Sequence, residues 1–238
     1  MLNFFKPVFE PTPVFTVRDH WERAQPTGMK PNLALRFAQN ISEAENLSQH
    51  PASSFAHVVV DVQKLFCEPN AKKYLGNADT DLTTDNIIHF SSELSKFEIP
   101  TFWVYYDVEN KGPDQACGGF YKVKPDQDSL IRKASTDGFF GTGLYRKLKN
   151  QGISNVIVSG FNLTACVRDT LIGARQHELN SWLVADCSAN DNNCHKAKSE
   201  GWYYRLWGLE RNAVTITSAK HVLDAMGSKA VMPALTRN

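Results

Sequence analysis

Three residues of this chain stand where reactive groups are commonly built. Asp61 closes the apolar run "HVVV" and is followed two places on by Gln63. Lys133, in "LIRKASTDGFFGTGL", precedes a glycine-rich turn into a helix-like stretch. Cys166 lies six residues after Gly160 in "NVIVSGFNLTACVRDTLIGAR", where a strand-like run gives way to a helical pattern. Each has an ordinary explanation by itself: a helix cap, a solvated surface charge, a small buried hydrophobe. Together they meet the needs of a thiol attacking a carbonyl carbon. That reaction requires a base for the thiol proton, a cation to favour the thiolate, and backbone N–H groups aimed at the developing oxyanion. A cysteine at a helix N-terminus is also expected to have a lowered pKa.

Such residues need a frame that brings them together. "FAHVVVDVQ" is short and β-branched, the pattern of a buried strand, and "TDNIIHFSSELSKF" has helical periodicity. "IPTFWVYYDV" is a second strand, and "GTGLYRKLKNQG" a helix stopped at Gly152. "SNVIVSG", "TACVRDTLIGARQH" and "SWLVADCS" continue the alternation, and "AVTIT" with "SAKHVLDAM" closes it, Ser218 serving as N-cap. Strands alternating with helices predict a Rossmann-like, three-layer α/β/α fold with a mostly parallel sheet. Ligands in such folds bind beyond the C-terminal strand ends, where the strand order reverses. Asp61 and the Cys166 turn both fall at such ends.

Residues 1–50 hold Pro7, Pro11, Pro13, Pro26 and Pro31, and the domain that follows opens at Pro51. We expect an irregular N-terminal extension over 1–50, with one helix near "LALRFAQNISEAENL", and a single domain over 51–238. Charged residues make up 21% and the net charge is +1, which favours neither nucleic acid nor an anionic membrane as partner. No apolar run is long enough to span a bilayer, and the N-terminus does not read as a secretory signal. Five cysteines without a C-x-x-C pair suit a reducing, cytoplasmic setting rather than a disulfide framework.

From about residue 55 to 225 the chain resembles the isochorismatase-like hydrolases, the cysteine hydrolase or nicotinamidase-related group. The motifs "VVVDVQ", "RKASTDGFFGTGL" and "VSGFNLTACVRDT" occur in the family's order and spacing. Where the family pattern after its lysine reads K-x-x-x-S-A-F-x-x-T-x-L, this chain has Asp137-Gly138-Phe139, then Thr142 and Leu144. Phe161-Asn162 likewise replaces the usual Val-Ala. The resemblance implies an Asp61–Lys133–Cys166 triad and a non-proline cis peptide at Phe161-Asn162. It also implies an oxyanion site formed by the N–H groups of Asn162 and Cys166.

Nicotinamidases of the group hold a metal through an Asp-x-His pair and a second histidine after the second strand. Here "VYYDVENKGPDQACGGFY" has Asp107 but no histidine, and such sites need three protein ligands. No metal or other cofactor is therefore expected. The retained cysteine favours hydrolysis of a C–N bond in a small amide or ureido compound. The alternatives are an isochorismatase-type vinyl-ether hydrolase, which would not need Cys166, and a catalytically idle member used as a binding protein. Besides Asn162, candidate substrate contacts are Gln63 and Thr164, with Phe66, Tyr74, Trp103 and Phe140 as pocket walls. The aromatic cluster Trp202, Tyr203, Tyr204 and Trp207 suggests a homo-oligomer interface.

Overall fold

The computed structural model describes residues 44–68, 78–189 and 215–231. Most of the N-terminal arm, Tyr74, Cys194 and the aromatic cluster at 202–207 lie outside the described residues. Within them the strands are β1 Phe55–Val60, β2 Thr101–Tyr106, β3 Leu130–Lys133, β4 Asn155–Phe161, β5 Asn180–Ala189 and β6 Thr215–Thr217. The helices are α1 Lys64–Cys67, α2 Ala78–Ser95, α3 Leu144–Asn150, α4 Arg168–Gln176 and α5 Ala219–Val231.

The strands form one sheet in the order β3-β2-β1-β4-β5-β6, and every neighbouring pair is parallel. The chain winds outward from β1 to β3, then crosses back to place β4 on the other side of β1. The strand order therefore reverses between β1 and β4, where a doubly wound fold leaves its ligand crevice.

The two faces of each strand feed two separate cores. Ala56, Val58 and Val60 of β1 join Val156 and Val158 of β4 beneath Leu144 and Leu148 of α3 and Leu171 and Ala174 of α4. Phe55 and Val59 point the other way, to Ile87, Phe90 and Leu94 of α2 and Val222 and Met226 of α5. A strand covered on both faces has no solvent side to alternate with, so β1 and β4 read as mostly apolar runs, the polar His57, Asn155 and Ser159 being buried with the rest. Each fully buried branched or aromatic side chain contributes roughly 1.5–3 kcal/mol of transfer free energy.

Several boundaries differ from those expected. β3 is an additional strand, only four residues long at the sheet edge, with Arg132 exposed. A strand of that length carries too little pattern to stand out. Leu47, in a 3-10 turn over Ala44–Gln49, is fully buried against the α2–α5 face. This turn ahead of Pro51 thus packs on the fold. At the other end, the Ser218 hydroxyl accepts the His221 N–H at 3.2 Å and caps α5 as its position suggested.

Candidate active site

Asp61 follows directly on β1 and is buried. Its backbone adopts φ 54, a left-handed conformation that aspartate tolerates better than most residues. Its N–H still donates to the Val104 carbonyl of β2 at 2.8 Å, and its carbonyl accepts from Gln63 N at 2.8 Å. The chain thus turns sharply while the carboxylate stays at the sheet edge. It caps no helix, since α1 begins after Gln63.

Lys133 ends β3 beside Tyr106 of β2, and its carbonyl accepts the Asp107 N–H at 2.8 Å. The side chain runs inward and is only 1% exposed. Its Nζ lies 2.8 Å from Asp61 Oδ2, donates to the Ser135 carbonyl at 3.1 Å, and sits 5.1 Å from the centre of the Tyr106 ring. An isolated buried ammonium would be costly, and this one has an anion, a carbonyl and an aromatic face.

Cys166 belongs to a π-helical turn, Leu163–Val167, that leads into α4. The Asn162 carbonyl accepts the N–H groups of both Ala165 and Val167, at 3.0 and 3.1 Å, which tightens the turn. The turn hangs from β4 where Gly160 pairs with Val60 of β1. Gly160 has φ 123, and a Cβ there would lie 2.0 Å from the Val60 carbonyl oxygen. Only glycine lets the two strands approach this closely next to the site. The Phe161-Asn162 peptide is cis.

The half-buried thiol of Cys166 interacts with both Asp61 and Lys133. Burial, reinforced by the Asp61 charge, pushes its pKa up to about 12 against the opposing pull of Lys133. The lowering expected from a helix N-terminus is not what the surroundings produce, because desolvation and a neighbouring carboxylate outweigh it. Burial also raises Asp61, although Lys133 and Cys166 oppose the rise. Lys133 is raised, because the attraction of Asp61 and Cys166 overcomes its own desolvation. The proton accordingly rests on sulfur, beside an ion pair. Moving it to Asp61 exchanges one anion for another and leaves the net charge of the buried cluster unchanged.

The remaining expected contacts divide. Asn162 stands at the head of the Cys166 turn, and its side-chain Oδ1 is buried without a hydrogen-bond partner among the described residues. Gln63 is fully buried, with Nε2 donating to the carbonyls of Tyr106 and Ala116 at 3.2 and 2.9 Å. Its Oε1 accepts the Tyr106 N–H at 2.8 Å. Both amide hydrogens are thus spent on backbone, and Gln63 clamps the end of β2. Phe66 belongs to the α2-side core, and Trp103 is buried edge-on to Phe120 at 6.3 Å. Phe140 is 73% exposed. The side chain of Thr164 lies outside the described residues.

The structure also brings in residues that motif reading passed over. The Tyr106 ring lies against Lys133, and the half-buried Cys117 thiol, donating to the Tyr106 carbonyl at 3.6 Å, feels the charges of Asp61 and Lys133. Neither sits in a motif: the pairing of β2 with β3 places Tyr106, and the turn at Ala116–Gly118 brings Cys117 back to the end of β2. Asp107 is committed elsewhere: its oxygens accept the N–H groups of Lys111 and Gly112, both at 2.9 Å, and Arg132 lies 3.5 Å away. Those bonds hold its carboxyl below its ordinary pKa despite burial. Among the described residues no three His, Cys, Asp or Glu side chains are grouped to hold a metal ion.

Known structures share this architecture. A cysteine hydrolase from Pseudomonas syringae pv. phaseolicola superposes with a TM-score of 0.63 at 18% identity, covering 76% of this chain and 96% of its own. The N-carbamoylsarcosine amidase of Thermoplasma acidophilum gives 0.56 at 19% identity, over 70% and 96% of the two chains. A nicotinamidase from Staphylococcus aureus gives 0.57 at 19%, over 70% and 99%. Identities this low speak for the fold alone. No curated protein matches the sequence. The family model for the isochorismatase domain matches residues 55–220, from the first residue of β1 into the first turn of α5. With the sheet and Asp61, Lys133 and Cys166 all inside that match, the chain belongs to the isochorismatase-domain family of hydrolases.

Proposed function

We propose that this protein hydrolyses a C–N bond of a small amide or ureido compound through a cysteine thioester. The observation that carries the reading is the buried Asp61–Lys133 ion pair, 2.8 Å across, converging on Cys166 where the strand order reverses. Asp61 takes the thiol proton, and Lys133 holds the resulting thiolate. Cys166 attacks the carbonyl carbon, and the oxyanion is met by the N–H groups of Asn162 and Cys166. Asp61 returns the proton to the departing nitrogen as the C–N bond breaks. A water, deprotonated by Asp61, then cleaves the thioester and restores the thiol. The net-charge balance of the triad suits this cycle, since no proton transfer within it creates an uncompensated buried charge.

The unpartnered Oδ1 of Asn162 favours substrates that bring an N–H donor, as amides and ureido compounds do. Two of the structural neighbours are named as amide-cleaving enzymes of that kind, an amidase and a nicotinamidase. We read the chemistry as independent of metal, because Asp107 is already spent on its own loop. We also place the protein in a reducing compartment, as a homo-oligomer. A clean monomer mass near 26.7 kDa by light scattering would overturn the last point.

The test is ammonia or amine release across a panel of small amides and ureido compounds, with Cys166→Ala alongside. The expected loss is about 10⁴-fold or more, as for removal of other covalent nucleophiles. A Cys166→Ala enzyme that keeps its amine release would exclude the thioester, whereas an enzyme that cleaves none of the panel but opens a vinyl ether, with or without Cys166, would leave the isochorismatase-type reading.

A further inference from the structure

The segment Asp137-Gly138-Phe139, whose first two residues depart from the family pattern, does not hang free. It is seated residue by residue on the nucleophile's helix. Asp137 lies against Gly173, where an added Cβ would come within 2.4 Å of its Oδ1. Gly138 lies against Thr170, where an added Cβ would come within 3.0 Å of the hydroxyl. Phe139 packs on His177 with ring centres 5.4 Å apart. Aspartate and glycine at 137 and 138 therefore fit a helix that offers glycine and threonine at the facing positions.

The middle contact is more than packing. Thr170 is fully buried, and its Oγ1 donates to the Cys166 carbonyl at 2.7 Å while accepting the Gly138 N–H at 2.9 Å. Back-bonding to the carbonyl four residues earlier is ordinary for threonine in a helix. Accepting a second bond from another element is not part of that habit. On the far side of Gly138 the path continues: the Ser135 hydroxyl donates to the Asp137 carbonyl at 3.0 Å, and Lys133 Nζ donates to the Ser135 carbonyl at 3.1 Å. A continuous run of bonds and backbone thus joins the ammonium to the nucleophile's own peptide, independently of Asp61.

We propose that Thr170 is a positioning residue that fixes the lysine loop and the Cys166 turn at one separation, with Gly138 as its partner across the gap. This rests on the reading of Cys166 as the nucleophile. The hydroxyl touches no reacting atom; it acts by setting where Lys133 and Cys166 stand. The exchange of Ser-Ala for Asp-Gly is then no sign of an idle site, because the replacement pair is what docks the lysine loop.

The test needs no substrate. Native protein is alkylated with iodoacetamide between pH 6 and 10, and Cys166 is followed by peptide mass spectrometry, with thermal melting in parallel. Thr170→Val, nearly the same shape without the hydroxyl, is expected to lower the Cys166 rate about tenfold at each pH, as a thiol profile displaced by one unit requires. Thr170→Ser restores the rate to within about twofold. Gly138→Ala, which keeps the hydroxyl but displaces its donor, should act like Thr170→Val and serves if the valine variant does not fold. Lys133→Met is the control. If it slows Cys166 while folded Thr170→Val and Gly138→Ala match wild type, the positioning role is wrong and the nucleophile stands. If Lys133→Met has no effect either, the nucleophile reading falls with it.

Discussion

His57 and Asp61 lie four residues apart on the same stretch of chain, and both are completely buried. Their surroundings take them in opposite directions. His57 faces α2, with Nε2 2.7 Å from the Ser159 hydroxyl, Nδ1 3.1 Å from the Ser91 hydroxyl, and Phe90 edge-on at 5.0 Å. Ser91 spends its own proton on the Ile87 carbonyl at 2.8 Å, so the ring donates from Nδ1 and accepts Ser159 at Nε2. Both ring nitrogens are satisfied in the neutral form, and burial drives the pKa down to about 3. Asp61 is raised by the same burial but stands beside the Lys133 ammonium. Desolvation disfavours charge at both positions, and only an opposite charge in contact offsets it. One site is a hydroxyl-bonded brace between sheet and helix, whereas the other is a buried ion pair beside a thiol.

Removing the cation should erase that contrast most sharply. Lys133→Met leaves Asp61 buried without its partner and should destabilise the fold by about 3–5 kcal/mol, read from urea midpoints at constant slope. Adding Asp61→Asn should recover most of the loss. If the single variant is as stable as wild type, the pair is not the structural necessity its burial implies.

The histidine side is tested by pH. Between the ordinary histidine pKa of 6.5 and about 3, the unfolded chain binds a proton at His57 that the folded chain refuses. Stability conferred by the neutral ring is therefore complete above pH 6.5 and is lost as pH falls, by up to about 1.4 kcal/mol per unit. His57→Gln should flatten that part of the profile between pH 7 and 4.5. An unchanged slope would show that other groups carry the acid sensitivity.

A smaller effect is expected at Gln63, which joins the two regions by clamping β2 beside the site. Gln63→Leu strands the Tyr106 N–H and the Ala116 carbonyl and should cost about 1–3 kcal/mol. Faster hydrogen exchange at the Tyr106 amide, with β1 amides unchanged, would locate the loss there.

The same contrast explains what could be read from sequence. β1 and β4 were legible because double burial writes a mostly apolar, β-branched run, and Asp61 stood out because it follows three valines. Lys133 and Cys166 were legible through their order and spacing relative to it. Thr170 lay inside the quoted "CVRDT", yet its partner is a backbone N–H 32 positions away. Gln63 reaches backbone 43 and 53 positions on, and no periodicity records such pairings. Leu130–Lys133 escaped notice because a four-residue edge strand buries too little to leave a pattern. The direction of the Cys166 shift was misjudged because helix position is local, whereas the desolvation that dominates it comes from the assembled core.

The close pairing of β1 with β4 has a consequence for how the protein is made. Phe55 finds its β4 partner in Asn155, one hundred positions later. At synthesis rates of about 5–20 residues per second, β1 leaves the ribosome some 5–20 seconds before the strand that covers its second edge. During that interval a β-branched segment, "FAHVVV", has one unpaired edge, and chaperone capture or premature strand pairing competes with folding. Asp61 waits through the same interval without Cys166. The three residues of the cluster therefore meet only once β4 and the turn after it have been made.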